Sequence, residues 1–302
     1  MKSVIDNQMT SEAVTAGAAF RQAYSETKLV KSFLWGVTLL LAIIQLVAAI
    51  VDKSAFDLTS ATVITLCAYV LLGSFGKSAM QAMHMLGCNV QRVHDFLTLE
   101  VGGKPNDFDL PQSKITRLAN RWLRKNKTIK QRELETWWDE SLNEVNFAQA
   151  RLICSCATFS WEVELRKKYQ LFLSLILALS IFVPLAVSLY FDFGVYKMIV
   201  LALAPFTPFV SLVLEEWLVN KSCLSTALEI RRNCQDLWKQ VINKTANNEV
   251  LIAETNSLME SWQIYRMSTL PIFNWLYVLT RRRMEGDMIV DTKSLVQQVK
   301  HL

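Results

Sequence analysis

The apolar positions of this 302-residue chain gather into four runs separated by strongly polar segments. Leu171–Phe191 and Met198–Leu214 contain no charged residue, and only the short turn Asp192–Lys197 divides them. At 1.5 Å rise per residue, each is about long enough for a helix to cross a hydrocarbon core of ~30 Å. A soluble core helix rarely stays apolar on all faces for this length, so the pattern predicts a transmembrane helical hairpin. Phe33–Val51 is a third uncharged run, with Gln45 its only strongly polar residue. Thr59–Gly76 is a fourth, poorer in large aliphatics. It gains support because Phe33–Val51 needs a partner to return the chain to its starting side.

The segments between the runs carry a helical period. Residues 1–32 read as a helix containing Ala16, Ala18, Ala19, Phe20 and Tyr24. Lys77–Glu100 reads as an outward continuation of the second span. Gly102, Gly103, Pro105 and Pro111 mark Val101–Gln112 as a turn or linker. Ile115, Leu118, Trp122 and Leu123 recur at helical spacing, and Phe147, Ala150, Cys154, Ala157, Trp161 and Leu165 mark one face of a later helix. Asn220–Leu302 is again helical, with breaks expected at Ala246–Asn248 and at Leu270-Pro271. No segment is β-rich. The expected fold is all-α, a four-helix transmembrane bundle of two hairpins (33–76 and 170–219). A helical N-terminal segment (1–32) precedes it, and a cytoplasmic helical domain is built from the central (77–169) and C-terminal (220–302) segments.

Charge supplies the orientation. Lys and Arg total 32 against 27 Asp and Glu, and all but two of the 32 lie outside the loops that close the hairpins. The positive-inside rule then places the N-terminus, the central segment and the C-terminus in the cytoplasm of a multi-pass protein. The small basic excess does not itself point to nucleic acid. Five of the six cysteines fall in segments assigned to the cytoplasm, where reduced thiols are expected.

Candidate chemistry is sparse. His84 and Cys88 are four apart on a helix and would make half a metal site, but no second pair has matching spacing. No phosphate loop or nucleophile elbow is present, so neither a catalytic residue nor a cofactor is expected. The basic stretch is sharper. Lys114, Arg117, Arg121, Arg124, Lys125, Lys127, Lys130 and Arg132 occur with no acid among them. It reads as a solvated helix face, as a surface for anionic lipid headgroups, or as a site for an anionic ligand such as a nucleotide. Glu215 and Glu216 follow Met198–Leu214, either attracting cations at a pore mouth or snorkelling to the interface. Pro205 and Pro208 predict a kink there. With Gln45 and Ser211 they are the pore or gating candidates, although four packed helices enclose no aqueous lumen and a pore would require oligomers or a large rearrangement.

Several residues resemble a known family. Ala150–Cys154, then Trp161-Glu162 and Leu165-Arg166-Lys167-Lys168-Tyr169, look like the signature preceding the third span of the SMODS-associated four-transmembrane effectors. Arg21, Tyr24 and Lys28 resemble that family's opening helix, and Pro271, Tyr277, Arg281, Glu285 and Met288 resemble its C-terminal part. Ser155, Cys156 and Thr158 depart from it, standing where the family pattern has Gln, Arg and Asn. The resemblance implies a bacterial inner-membrane effector of antiphage defence. A nucleotidyltransferase partner would supply a cyclic oligonucleotide as activating ligand. The effector would rearrange or oligomerise and breach the membrane, in the manner of abortive infection. The alternative is a non-conducting membrane scaffold or nucleotide-binding sensor that recruits partners.

Overall fold

The computed structural model describes residues 3–51, 58–101, 110–126 and 128–301. The hairpin loop at 52–57, the Gly102-Gly103 and Pro105 turn and Lys127 lie outside the described residues. The chain is 89% helical, with no strand among the described residues. In order the helices are α1 (Val4–Gln8), α2 (Ser11–Val51), α3 (Leu58–Leu99), α4 (Gln112–Lys125), α5 (Thr128–Glu135), α6 (Phe147–Tyr190), α7 (Val195–Lys197), α8 (Thr207–Ile242), α9 (Asn248–Ser268) and α10 (Asn274–Lys300). The expected breaks are local chemistry. Asn247 caps α9 by accepting from the Val250 amide at 2.8 Å, and Pro271 falls between α9 and α10.

Three helical stretches are long and apolar enough to cross a membrane: Ser11–Val51, Phe147–Tyr190 and Val195–Ile242. The chain is accordingly a membrane protein, and α3 has comparable length at 42 residues. The helices divide between two compact units. The first comprises 1–26, 83–167 and 222–302, and the second 27–82 and 168–221.

The second unit turns apolar side chains outward. Phe33, Leu40, Val47, Phe75, Leu171, Phe182, Leu189 and Ile199 are all exposed. In water such a surface would be unstable, whereas in hydrocarbon it is the solvated one. Inside the unit, Ala42, Leu46, Ala202 and Phe206 form a small core, and Trp35 meets Phe209 edge to face at 5.6 Å. The two prolines do break regular geometry. A π-helical turn, Met198–Leu203, passes into a 3₁₀ turn, Ala204–Phe206, before α8 begins. Proline supplies no N–H for the i−4 bond, so the preceding turns are repaired with other spacings. Ser180 and Ser188 bond the carbonyls of Leu177 and Pro184 in their own helix.

The first unit has an ordinary buried core. Ala18, Ala19 and Ala23 of α2 meet Val90 of α3, Ile115, Leu118 and Trp122 of α4, and Leu134 of α5. The start of α6 is buried almost all round, through Leu152, Ile153, Cys154, Phe159 and Val163. One expectation is corrected here. Cys156 and Cys234 are joined in a disulfide, with Cα atoms 5.9 Å apart, and the other four cysteines are free. The two lie 78 residues apart in sequence, and only the packing of α6 on α8 brings them into the range that a disulfide spans.

Gly87 of α3 marks a close approach of α2. A Cβ built there would lie 2.8 and 2.9 Å from two ring carbons of Tyr24. That ring is held by its hydroxyl, which donates to Gln91 at 2.8 Å, so it has little freedom to move. Gly87→Val is expected to destabilise the protein by about 1–3 kcal/mol through overpacking, read as a lowered thermal midpoint of the detergent-solubilised chain.

Candidate functional site

Four of the resemblance residues, Trp161, Tyr277, Arg281 and Glu285, lie in one cluster with Arg21. The alanine-rich face of α2 packs into the core and leaves Arg21 at its margin, half-buried. Its guanidinium lies 5.8 Å from the ring centroid of Trp122 on α4 and 5.6 Å from that of Trp137, in the segment following α5. Both distances are within cation–π reach. Gln8 of α1 positions that segment, bonding the Trp138 amide at 3.0 Å and the Trp138 carbonyl at 3.5 Å. Trp137 contacts Trp161 of α6 at 6.0 Å, and Trp161 contacts Tyr277 of α10 at 6.3 Å. One turn further along α10, Arg281 donates to Glu133 of α5 at 2.6 Å and to Glu285 in its own helix.

Arg21 makes no hydrogen bond to any described residue. Its partners are aromatic faces, which satisfy the charge but not the five N–H donors. Burial holds the Tyr277 hydroxyl above its usual range, although the Arg281 and Arg21 charges pull the other way. The cluster therefore presents a cation, a neutral hydroxyl and several ring faces. That combination suits an anion attached to a flat ring.

A second polar group lies deeper in the unit. His84, Cys88, Gln91 and Asp95 form one stripe of α3. Arg266 of α9 pairs with Asp95 at 2.5 Å, and Gln263 donates to the same oxygen at 3.1 Å. His84 meets the Arg266 carbonyl at 2.9 Å, and Cys88 lies 3.5 Å from the same carbonyl. The His84–Cys88 half-site is thus occupied by backbone, and no metal-holding group was found among the described residues. Burial raises the Asp95 carboxyl, but Arg266 and His94 outweigh it and hold the group below the usual carboxylate range. Close to α6's midpoint, Arg166 pairs with Glu162 at 2.7 Å and donates to the Leu270 carbonyl at 3.1 Å. Tyr265 donates to the same Glu162 at 2.9 Å.

The remaining candidates are placed as follows. On α4, Arg117, Arg124 and Lys125 are exposed and Lys114 is half-buried. Arg121 pairs with Glu26 at 2.7 Å. Asn120, Leu123 and Arg124 line an open surface concavity of about 530 Å³. Tyr24 donates to Gln91, and Cys154 is fully buried in α6. In the second unit, Gln45, Pro205 and Pro208 are buried and Ser211 is exposed. The two acids there part company. Glu215 is exposed and pairs with Lys77 at 2.5 Å, whereas Glu216 is buried and pairs with Lys31. Tyr169 completes that group. It accepts from Lys31 at 2.8 Å and donates to Glu216.

Comparison with protein-family models matches residues 2–295 to the SMODS-associating 4TM effector domain. The chain belongs to this family. Neither the curated proteins nor the solved structures contain a match. As a SMODS-associating 4TM effector domain, the chain is an effector of systems built around a SMODS nucleotidyltransferase, and it has transmembrane helices. Sequence reasoning named Arg21, Trp161, Tyr277 and Arg281 separately but not Trp137, Glu133, Asp95 or Arg266. The legible signal was the i, i+4, i+7, i+11 recurrence of His84, Cys88, Gln91 and Asp95, which sets them along one side of the helix.

Asp95→Asn leaves Arg266 as a buried charge without its counter-ion and is expected to cost about 3–5 kcal/mol, measured by thermal or denaturant unfolding. The wild-type pair is also acid-sensitive. Because the folded Asp95 carboxyl is depressed, its stabilisation is present above the unfolded value of about 3.9 and disappears as pH falls below it. A fall in thermal midpoint between about pH 5 and pH 3, reduced in Asp95→Asn, checks this.

Proposed function

We propose that this effector is the membrane-disrupting arm of an antiphage system, switched on by a cyclic oligonucleotide from its partner nucleotidyltransferase. The first unit is the cytoplasmic sensor. The second unit, with α3 supplying the fourth crossing, is the inner-membrane element. On binding, copies assemble and open a path that depolarises the cell before phage mature. The reading needs no catalytic residue, cofactor or metal.

One observation carries the sensing half, the Arg21 guanidinium with free donors among Trp122, Trp137, Trp161 and Tyr277. A phosphodiester needs charge-assisted N–H donors, and a base needs a ring to stack on. Base-on-aromatic stacking contributes about 1–3 kcal/mol per base. The exposed cations of α4, the helix that carries Trp122, add a long-range attraction for an anion. The disrupting half rests on the kinked apolar segment 198–206 and on the exposed apolar side chains of the second unit.

Membrane potential tests the whole reading. Bacteria carrying the gene with its neighbouring genes are expected to depolarise early after phage challenge. Arg21→Ala is expected to abolish the response at unchanged membrane abundance. Val210→Asp, which places a charge within Met198–Leu214, is expected to abolish it too. A steady potential together with intact phage protection overturns the reading and leaves a non-conducting scaffold. In vitro, cyclic di- and trinucleotides are expected to quench tryptophan emission of the full chain, and Arg21→Ala to lose that quenching.

A further inference from the structure

Five polar side chains of the second unit stand at the same end of the apolar runs. Lys31 comes just before Phe33, Lys77 directly follows Gly76, Tyr169 comes just before Leu171, and Glu215 and Glu216 follow Leu214. They belong to α2, α3, α6 and α8. Lys31 donates to Tyr169 at 2.8 Å, and Glu216 accepts from both. All three are buried, at 1%, 0% and 4% exposure for Lys31, Tyr169 and Glu216. Leu173 of α6 and Val213 of α8, close by in sequence, are fully buried too. The Lys77–Glu215 pair is exposed, where an ion pair contributes little. The helices carrying these groups are joined in different ways. α6 and α8 share neutral hydrogen bonds: the Trp217 indole donates to Ser174 at 2.9 Å, and the Asn220 amide to Gln170 at 2.7 Å. α2 and α3 approach closely, since a Cβ built on Gly76 would lie 2.5 Å from Leu34. Between the two pairs of helices the seam is apolar farther along, where Ala42 and Leu46 meet Ala202 and Phe206. At this end it is ionic, with cations on α2 and α3 and acids on α8.

We infer that Lys31, Tyr169 and Glu216 form a clasp that holds the α2–α3 pair on the α6–α8 pair, and that the bundle opens by releasing it. A buried ion pair is seldom a better glue than apolar side chains of the same shape. Its value here lies in how it lets go. While the seam is dry, the opposite charges attract strongly. Once the helices part far enough to admit water, the attraction falls to a small fraction of that. An apolar seam loosens in proportion to the area it loses, whereas this one holds or fails as a unit. The acid of the clasp sits on α8, the helix that follows the π and 3₁₀ turns of 198–206. If one of those irregular turns relaxes to α-helix, everything after it rotates about the helix axis. Such a rotation carries Glu216 away from Lys31 and Tyr169. The clasp gives the opening step of the proposed function its residues, and it rests on that reading for its biological use.

The test is made on the full chain in bacterial membranes without phage, opened so that both faces are accessible. Leu173→Cys in a Cys67→Ser background places a thiol in the buried layer beside Tyr169. A charged maleimide reports whether water reaches it. With native Lys31 and Glu216, the new thiol is expected to add no label over the Cys67→Ser parent. Lys31→Glu, which sets two acids face to face, is expected to lose that protection, and so is Glu216→Lys. The two changes together restore opposite charges and are expected to restore the protection, which a general packing defect could not do. Glu216→Gln keeps the side-chain shape, removes the charge without adding repulsion, and is expected to lose protection as well. Labelling with the native pair overturns the inference. So does protection that survives all three single changes, or exposure that persists in the double reversal. The outcomes are separable from those of the proposed function. Depolarisation on phage challenge, with labelling indifferent to these charges, removes the clasp alone. Charge-dependent protection, with a steady potential after phage challenge, removes the membrane-disrupting mechanism alone.

Discussion

Most of the buried charges among the described residues meet a counter-charge, and those pairings tie the helices together in side-chain detail. Removing one partner of such a pair costs about 3–5 kcal/mol, a large share of a typical net stability of about 5–15 kcal/mol. In the first unit Arg266 reaches Asp95 and Arg166 reaches Glu162. In the second, Lys31, Tyr169 and Glu216 close a triad from α2, α6 and α8. Each pair joins segments far apart in sequence or fixes a helix against a loop. Apolar packing alone would tolerate a sliding helix, whereas a paired charge holds its register.

Arg21 stands apart from this rule. Its charge is met by rings rather than by a carboxylate, and its donors are left over. The nearby acids Glu133 and Glu285 are taken by Arg281. That division of partners is what turns a structural cluster into a place where an external anion can compete. The disulfide between Cys156 and Cys234 fixes α6 to α8 in the same unit, beside helices that carry no such link. The two units thus solve different problems. One satisfies charges around a conventional core. The other satisfies its backbone within helices and offers lipid an apolar exterior.

Most of the helix plan was legible because it follows from local rules. The length and uniform apolarity of Phe33–Val51, Leu171–Phe191 and Met198–Leu214 define helices by themselves. The breaks at Asn247 and Pro271 follow from capping and from the missing N–H. The irregular turns before α8 follow from Pro205 and Pro208. Membership of the effector family was likewise readable from short motifs such as Trp161-Glu162 and Arg166–Tyr169. The motif residues, however, divide into separate places. Trp161 belongs to the aromatic cluster, Arg166 to an ion pair with Glu162, and Tyr169 to the triad with Lys31.

The sequence by itself determined which stretches are helical, which of them are compatible with hydrocarbon and where the positive charge lies, because periodicity, run length and composition act over a few turns at most. Only the tertiary structure decided which side chains meet. Spacing along one chain does not encode the crossing of α2, α4, α6 and α10 that assembles Arg21, Trp122, Trp161 and Tyr277. Nor does it encode the contact of α6 with α8 that joins Cys156 to Cys234. Glu215 and Glu216 show the limit most clearly. They are adjacent in sequence and chemically identical, yet one faces outward to Lys77 and the other is buried on Lys31. A rotation of 100° about the helix axis separates them, and only the packing of the neighbouring helices says which direction is inside.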